Sequence, residues 1–117
     1  MNVFNNGLML LLALVLLSFA SCEAQIKNAK TETVKVYGNC KMCEEKIETA
    51  AFVKGDVKAD WNKGTKMAII TYDSTATTIK EVLKRIAEAG YDSEEVAAPD
   101  EAYNNLHECC QYERPKK

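Results

Sequence analysis

Along residues 32–97 the apolar side chains change period in a fixed order, and that order limits the fold more than any other feature of the chain. Residues 32–37 (ETVKVY) alternate, with Val34 and Val36 on one side and Thr33 and Lys35 on the other, as in a strand with one buried face. Gly38 and Asn39 interrupt it. From Lys41 the spacing becomes helical: Cys43, Ile47, Ala50 and Ala51 recur at i, i+4, i+7 and i+8. Glu44 and Glu45 stand in the first turn, where negative charge suits the helix dipole, and Gly55 is the predicted stop. Residues 56–61 (DVKADW) alternate again. Residues 62–65 (NKGT) make a turn in which Gly64 is free to take a positive φ, and residues 66–72 (KMAIITY) answer as the second strand of a hairpin. Thr77 or Thr78 caps a second helix, whose Ile79, Val82, Leu83, Ile86 and Ala87 form the cleanest apolar stripe in the chain. Gly90 closes that helix, residues 91–97 return as a weakly apolar edge strand, and Pro99 stops it.

The order strand, helix, strand, strand, helix, strand is the split βαβ, ferredoxin-like arrangement of an α+β fold. It predicts a four-stranded antiparallel sheet with two helices on one face. Tyr37, Trp61, Tyr72 and Tyr91 are expected to pack with their polar ends at the rim. Met67 reads as core or sheet surface, and Lys80, Lys84 and Arg85 as a basic strip on a solvated face.

Residues 1–24 stand apart from this unit. The uncharged run LMLLLALVLL, residues 8–17, is shorter than the roughly 20 residues that span a membrane, and reads as the apolar region of a secretory signal peptide. The preceding MNVFNNG carries no Lys or Arg. FASC resembles a bacterial lipobox, which would make Cys22 a lipidated first residue; cleavage after Ala24 is the other route. The chain is therefore expected to be exported, to a bacterial periplasm or to a membrane through lipid on Cys22. Residues 25–31 read as a tether, 32–98 as the domain and 99–117 as a C-terminal tail. The 15 Lys+Arg and 17 Asp+Glu all fall after the apolar run of residues 8–17 and are mixed along the helices, so no basic block points to nucleic acid.

Of five cysteines, Cys40, Cys43, Cys109 and Cys110 follow the leader, in a compartment where disulfides are permitted. Four thiols allow three pairings. Cys40 and Cys43 lie between the first strand and the first turn of the helix, where a C-x-x-C step brings both sulfurs toward one volume. Amide groups at a helix start stabilise thiolates, and Lys41 and Lys46 add positive charge. Thiolates bind soft metals. Two sulfurs on a loop suit near-linear Cu(I) or Hg(II), whereas closed tetrahedral zinc needs two more ligands. A thioredoxin-like redox pair wants a Gly-Pro-type step between the cysteines and a nearby cis-proline. Here Lys41 and Met42 lie between them, and the only prolines, Pro99 and Pro115, are in the tail.

The segments VKVYGNCKMCEEKIE, VKADWNKGTKMAIITYD and IKEVLKRIAEAGYD resemble the heavy-metal-associated domain, the family of copper chaperones, copper-ATPase N-terminal domains and mercuric-ion-binding proteins. The resemblance runs from Thr33 to about Ala98. It implies the same βαββαβ sandwich, metal binding by Cys40 and Cys43, and a position for Tyr91 beside the metal loop. It also implies a metal-transporting ATPase or another metal-binding domain as partner. The chain departs from the family where Gly-Met-Thr usually precedes the first cysteine: Tyr37, Gly38 and Asn39 stand there, without the methionine that anchors the loop in the core.

The tail holds His107, Cys109 and Cys110 within four positions. These residues either form a surface cluster of their own or return to the loop as added ligands. The ten residues from Asp100 span about 33 Å extended or about 15 Å as a helix, against about 20 Å for the last strand, so a return is within reach. Adjacent cysteines bridge each other only with strain, which leaves Cys109 and Cys110 to serve different partners or one metal.

The expected protein is an exported binder of a soft ion, Cu(I) before Hg(II) or Zn(II), that passes the ion on by ligand exchange. Three other readings stay open: a sequestering protein whose tail closes the site, a metal-bridged dimer, and a periplasmic thiol–disulfide protein. With one histidine and no Ser/His/Asp set, no enzyme is expected.

Overall fold

The computed structural model describes residues 25–116; the leader expected over residues 1–24, with Cys22, lies outside the described residues. Strand β1 (Ala29–Lys35), helix α1 (Lys41–Ala51), strands β2 (Val57–Trp61) and β3 (Met67–Asp73) and helix α2 (Ile79–Glu88) follow in the order that the periodicity implies. A short helix α3 (Asp100–Asn104) and a 3-10 turn (Glu108–Cys110) come after them.

The sheet is antiparallel, in the order β1-β3-β2. Its register runs from Ala29 opposite Asp73 to Lys35 opposite Met67, and from Val57 opposite Tyr72 to Trp61 opposite Ala68. Strand β1 thus starts inside the segment read as a tether. Between β2 and β3 the Asn62 side chain accepts from the Gly64 and Thr65 amides, and the positive φ expected at Gly64 falls instead on Lys66 (φ 63).

The expected fourth strand is not formed among the described residues. Residues 91–97 touch the sheet through one antiparallel bridge, Val36 to Ser93, with the Tyr37 amide donating to Asp92 O and the Glu94 amide to Lys35 O. Ser93 then folds the chain on itself: its amide donates to Val96 O (2.9 Å) and its hydroxyl accepts from the Val96 amide (3.0 Å). A serine that offers the backbone a local partner competes with the ladder and here ends it. Helix α1 also stops earlier than predicted. Val53 and Val57 exchange backbone hydrogen bonds, which fixes a turn through Gly55 (φ 81) and leaves Ala51 as the last helical residue.

One face of the sheet carries the core. Val34, Val36, Val57, Trp61, Ala68, Ile70 and Tyr72 meet Cys43, Ile47 and Ala51 of α1 and Val82, Leu83 and Ile86 of α2. Thr78 caps α2 by accepting from the Glu81 amide. Arg85 leaves the expected basic strip and donates to the last carbonyls of α1, Ala50 O and Ala51 O. Trp61 and Tyr91 are fully buried, not at the rim, and Trp61 Nε1 donates to Val36 O at 2.9 Å.

The tail packs back on the domain and buries Leu106, Cys110 and Tyr112. Its path runs over Gly90, whose φ is +108 and where an added Cβ would lie 2.9 Å from Ala102 O and 3.0 Å from Leu106. Replacing Gly90 with alanine should therefore cost about 1–3 kcal/mol in backbone strain, before any loss of tail packing. Chemical denaturation of the variant beside the unaltered chain measures it.

Candidate metal centre

Cys40 is the residue before the first turn of α1, in extended conformation (φ −146, ψ 171), and Cys43 is one turn into the helix. This step from strand to helix points both sulfurs at one volume, and their Sγ atoms lie 3.1 Å apart. The loop beneath them is held without the methionine of the resembling family. Gly38 lies against the Trp61 ring, where an added Cβ would meet Trp61 Cζ2 at 2.9 Å and Cys43 Cβ at 3.3 Å, so only glycine fits. Asn39 Oδ1 accepts from the Cys43 thiol at 3.2 Å. The buried indole thus fills the space under the loop.

The tail brings a third sulfur. Cys110 Sγ is 3.7 Å from Cys40 Sγ, and the sulfurs of Cys40, Cys43 and Cys110 all lie within 4.8 Å of one another. Cys43 and Cys110 are fully buried and Cys40 is half-buried. Cys109 is exposed, its sulfur 3.9 Å from that of Cys110, and His107 is exposed as well; neither joins the cluster. All four cysteines are free thiols.

The thiols differ in acidity. Burial raises Cys40, but hydrogen bonds from the Cys43 side chain and amide and from Cys110 outweigh it, and the group sits below the usual thiol range. Burial, with the neighbouring Cys40 and Cys43 sulfurs, pushes Cys110 up to about 12. Half-buried Cys40 is the sulfur of the three that an incoming cation or thiol can reach from solvent.

Tyr91 lies beside Cys43 and Cys110. Its ring is fully buried and stacks on Tyr112 at 5.7 Å. Its hydroxyl is the one buried side-chain polar atom without a hydrogen-bond partner among the described residues. Burial, then the Cys43 and Cys110 sulfurs, raise its pKa far above the ordinary tyrosine value, so it stays a donor.

A polar latch fixes the tail. Arg114 reaches both carboxylate oxygens of Asp92, at 2.9 and 3.0 Å, as well as Ala98 O and Asp100. The Tyr112 hydroxyl accepts from the Asp92 amide at 2.7 Å and lies 2.8 Å from Gly90 O and 2.9 Å from Asp92 Oδ2, donating to one of them. Tyr103 donates to Tyr112 O, and its ring lies under the Arg114 guanidinium. Nothing in the sequence pattern marked Asp92, Tyr112 or Arg114, because no local periodicity joins residues 20 positions apart. The run of tail aromatics and Arg beyond Pro99 was the available signal.

No protein-family model matches the chain, and no curated protein does. Among solved structures, one described as a CopZ metallochaperone is similar, with 26% sequence identity and a TM-score of 0.51. The likeness covers 55% of this chain and 98% of that one. It supports the resemblance to heavy-metal-associated domains and to their ferredoxin-like fold, here with three strands in the sheet.

Proposed function

We propose, taking that likeness as the premise, that the chain binds a soft metal ion through Cys40 and Cys43 and carries it to an acceptor. The observation that supports this most directly is the pair of sulfurs 3.1 Å apart at the start of α1. The chemistry of the donors fits: two thiols, one more acidic than usual, at the N-terminus of a helix whose dipole favours negative charge. Cu(I), a thiophilic monovalent ion, suits them best.

Transfer needs no acid, base or water-activating group. A thiolate of the acceptor adds to the bound ion and one sulfur of this chain leaves, retaking a proton from solvent. Half-buried Cys40 is the sulfur that an acceptor reaches first. The acceptor is a metal-transporting ATPase or a second metal-binding domain, and the setting is the bacterial cell envelope.

Titration of the reduced chain, residues 25–117, with Cu(I) against a chromophoric chelator should give one ion per chain. Cys40→Ser and Cys43→Ser should each weaken binding by at least 100-fold with an unchanged far-UV spectrum. Equal binding by the doubly substituted chain would overturn the reading.

A further inference from the structure

We infer that Cys110 is a third sulfur ligand, so that the returning tail closes a three-thiolate site over the ion. The inference rests on the reading above, and it adds a donor from the tail, beyond the segment from Thr33 to about Ala98 that resembles heavy-metal-associated domains.

The sulfur spacing favours three-coordination over two. With metal–sulfur bonds of about 2.3 Å, a linear two-sulfur site needs its sulfurs about 4.6 Å apart, and a planar three-sulfur site about 4 Å apart. Cys40 and Cys43 are 3.1 Å apart and Cys40 and Cys110 are 3.7 Å apart, with the trio inside 4.8 Å. An ion entering between the three has to spread them less than a linear geometry would spread the first two.

The Tyr91 hydroxyl is an independent pointer to a ligand. It is buried, makes no hydrogen bond of ordinary geometry among the described residues, and lies beside Cys43 and Cys110. A neutral thiol is a weak acceptor and a metal-bound thiolate is a strong one. Once an ion has displaced the thiol protons to solvent, the hydroxyl has an acceptor beside it. A bound ion therefore gives this hydroxyl a strong acceptor, in the manner of outer partners of metal ligands.

The tail is also built to deliver this one sulfur. The 3-10 turn is set by Cys110 N donating to His107 O at 2.8 Å, and Tyr112, two residues on, is anchored between Gly90 and Asp92. Cys110 faces inward and its neighbour Cys109 outward. Closed in this way, the ion is shielded until the tail lifts, and lifting it leaves the two-sulfur state that a partner's thiolate can attack.

X-ray absorption on the Cu(I)-loaded chain tests the proposal. The expected first shell is three sulfurs for the unaltered chain and for Cys109→Ser, and two for Cys110→Ser. Tyr91→Phe should keep three sulfurs while binding 10- to 100-fold more weakly. In case Cys110→Ser fails to fold, Cys110→Ala, which puts no polar atom into the buried position, reads the same point: its Cu(I) first shell should hold two sulfurs. Two sulfurs in the unaltered chain, or three in Cys110→Ala, would overturn the third ligand and leave the Cys40–Cys43 reading intact. No bound Cu(I) at all would overturn both.

Discussion

Trp61→Ala is expected to lower the unfolding free energy by about 3–5 kcal/mol, the usual cost of emptying a buried aromatic site. Trp61 is 1% exposed, and it is shared by the sheet, α1 and the cysteine loop. Against the roughly 5–15 kcal/mol that holds a domain of this size, the variant would be marginal at 25 °C. The loss reaches the site, because Gly38 rests on the indole and Cys43 Cβ lies just above. The variant should accordingly bind Cu(I) more weakly even where it is folded. Trp61→Phe separates the two contributions: it refills most of the space but strands Val36 O, the acceptor of Nε1, for about 1–3 kcal/mol. Urea unfolding of the three chains measures both steps. A cost below about 1 kcal/mol for Trp61→Ala would mean that the loop does not depend on the ring.

Arg114→Ala should release the tail. The Arg114 side chain is 23% exposed and its Asp92 partner 2%, so the substitution leaves a carboxylate in the interior with only the Ala98 amide and, shared with Gly90 O, the Tyr112 hydroxyl as donors. About 2–3 kcal/mol is expected, toward the low end for a broken buried pair because Arg114 keeps contact with solvent. The sharper readout is chemical: Cys110, buried in the unaltered chain, should label with a thiol reagent as exposed Cys109 does. Acid should act the same way. Burial works against the Asp92 charge, but the Arg114 guanidinium, the Ala98 amide and the Tyr112 hydroxyl outweigh it and hold the carboxyl below its ordinary range. A depressed folded-state pKa gives stability that is complete above the unfolded value of about 3.9 and is lost as pH falls through the folded one. Cys110 labelling, corrected for thiol ionisation, should stay slow from neutral pH to about pH 4 and rise below that. A rate that is flat across this range, or unchanged by Arg114→Ala, would show that apolar packing alone holds the tail.

The parts of the molecule that could be read in advance are those governed by short-range periodicity. The stripe Val82, Leu83, Ile86 and Ala87 and the inward pair Val34 and Val36 are buried as their spacing requires, and Thr78 caps its helix. The failures lie where particular contacts overrode the periodicity. Residues 91–97 have enough alternation for a strand, but Ser93 turns the backbone onto Val96, a competition that hydropathy does not register. Gly55 was a plausible helix stop, yet the Val53–Val57 bridge took the chain first. The rim assigned to Trp61 and Tyr91 became the interior once the tail and the loop had covered them.

The cysteine step was fixed by sequence, since three residues across a strand-to-helix junction suffice to bring Cys40 and Cys43 together. Which tail residue would meet them was decided by the folded chain alone. His107, Cys109 and Cys110 are equivalent as a list of ligand types, but a 3-10 turn and the anchors at Tyr112 and Arg114 turn Cys110 inward and leave the other two in solvent. Contacts between Cys40 and Cys110 span 70 positions, and no pattern local to either residue encodes them. They exist because Asp92, Gly90 and the core supply the partners that Tyr112 and Arg114 of the tail take up.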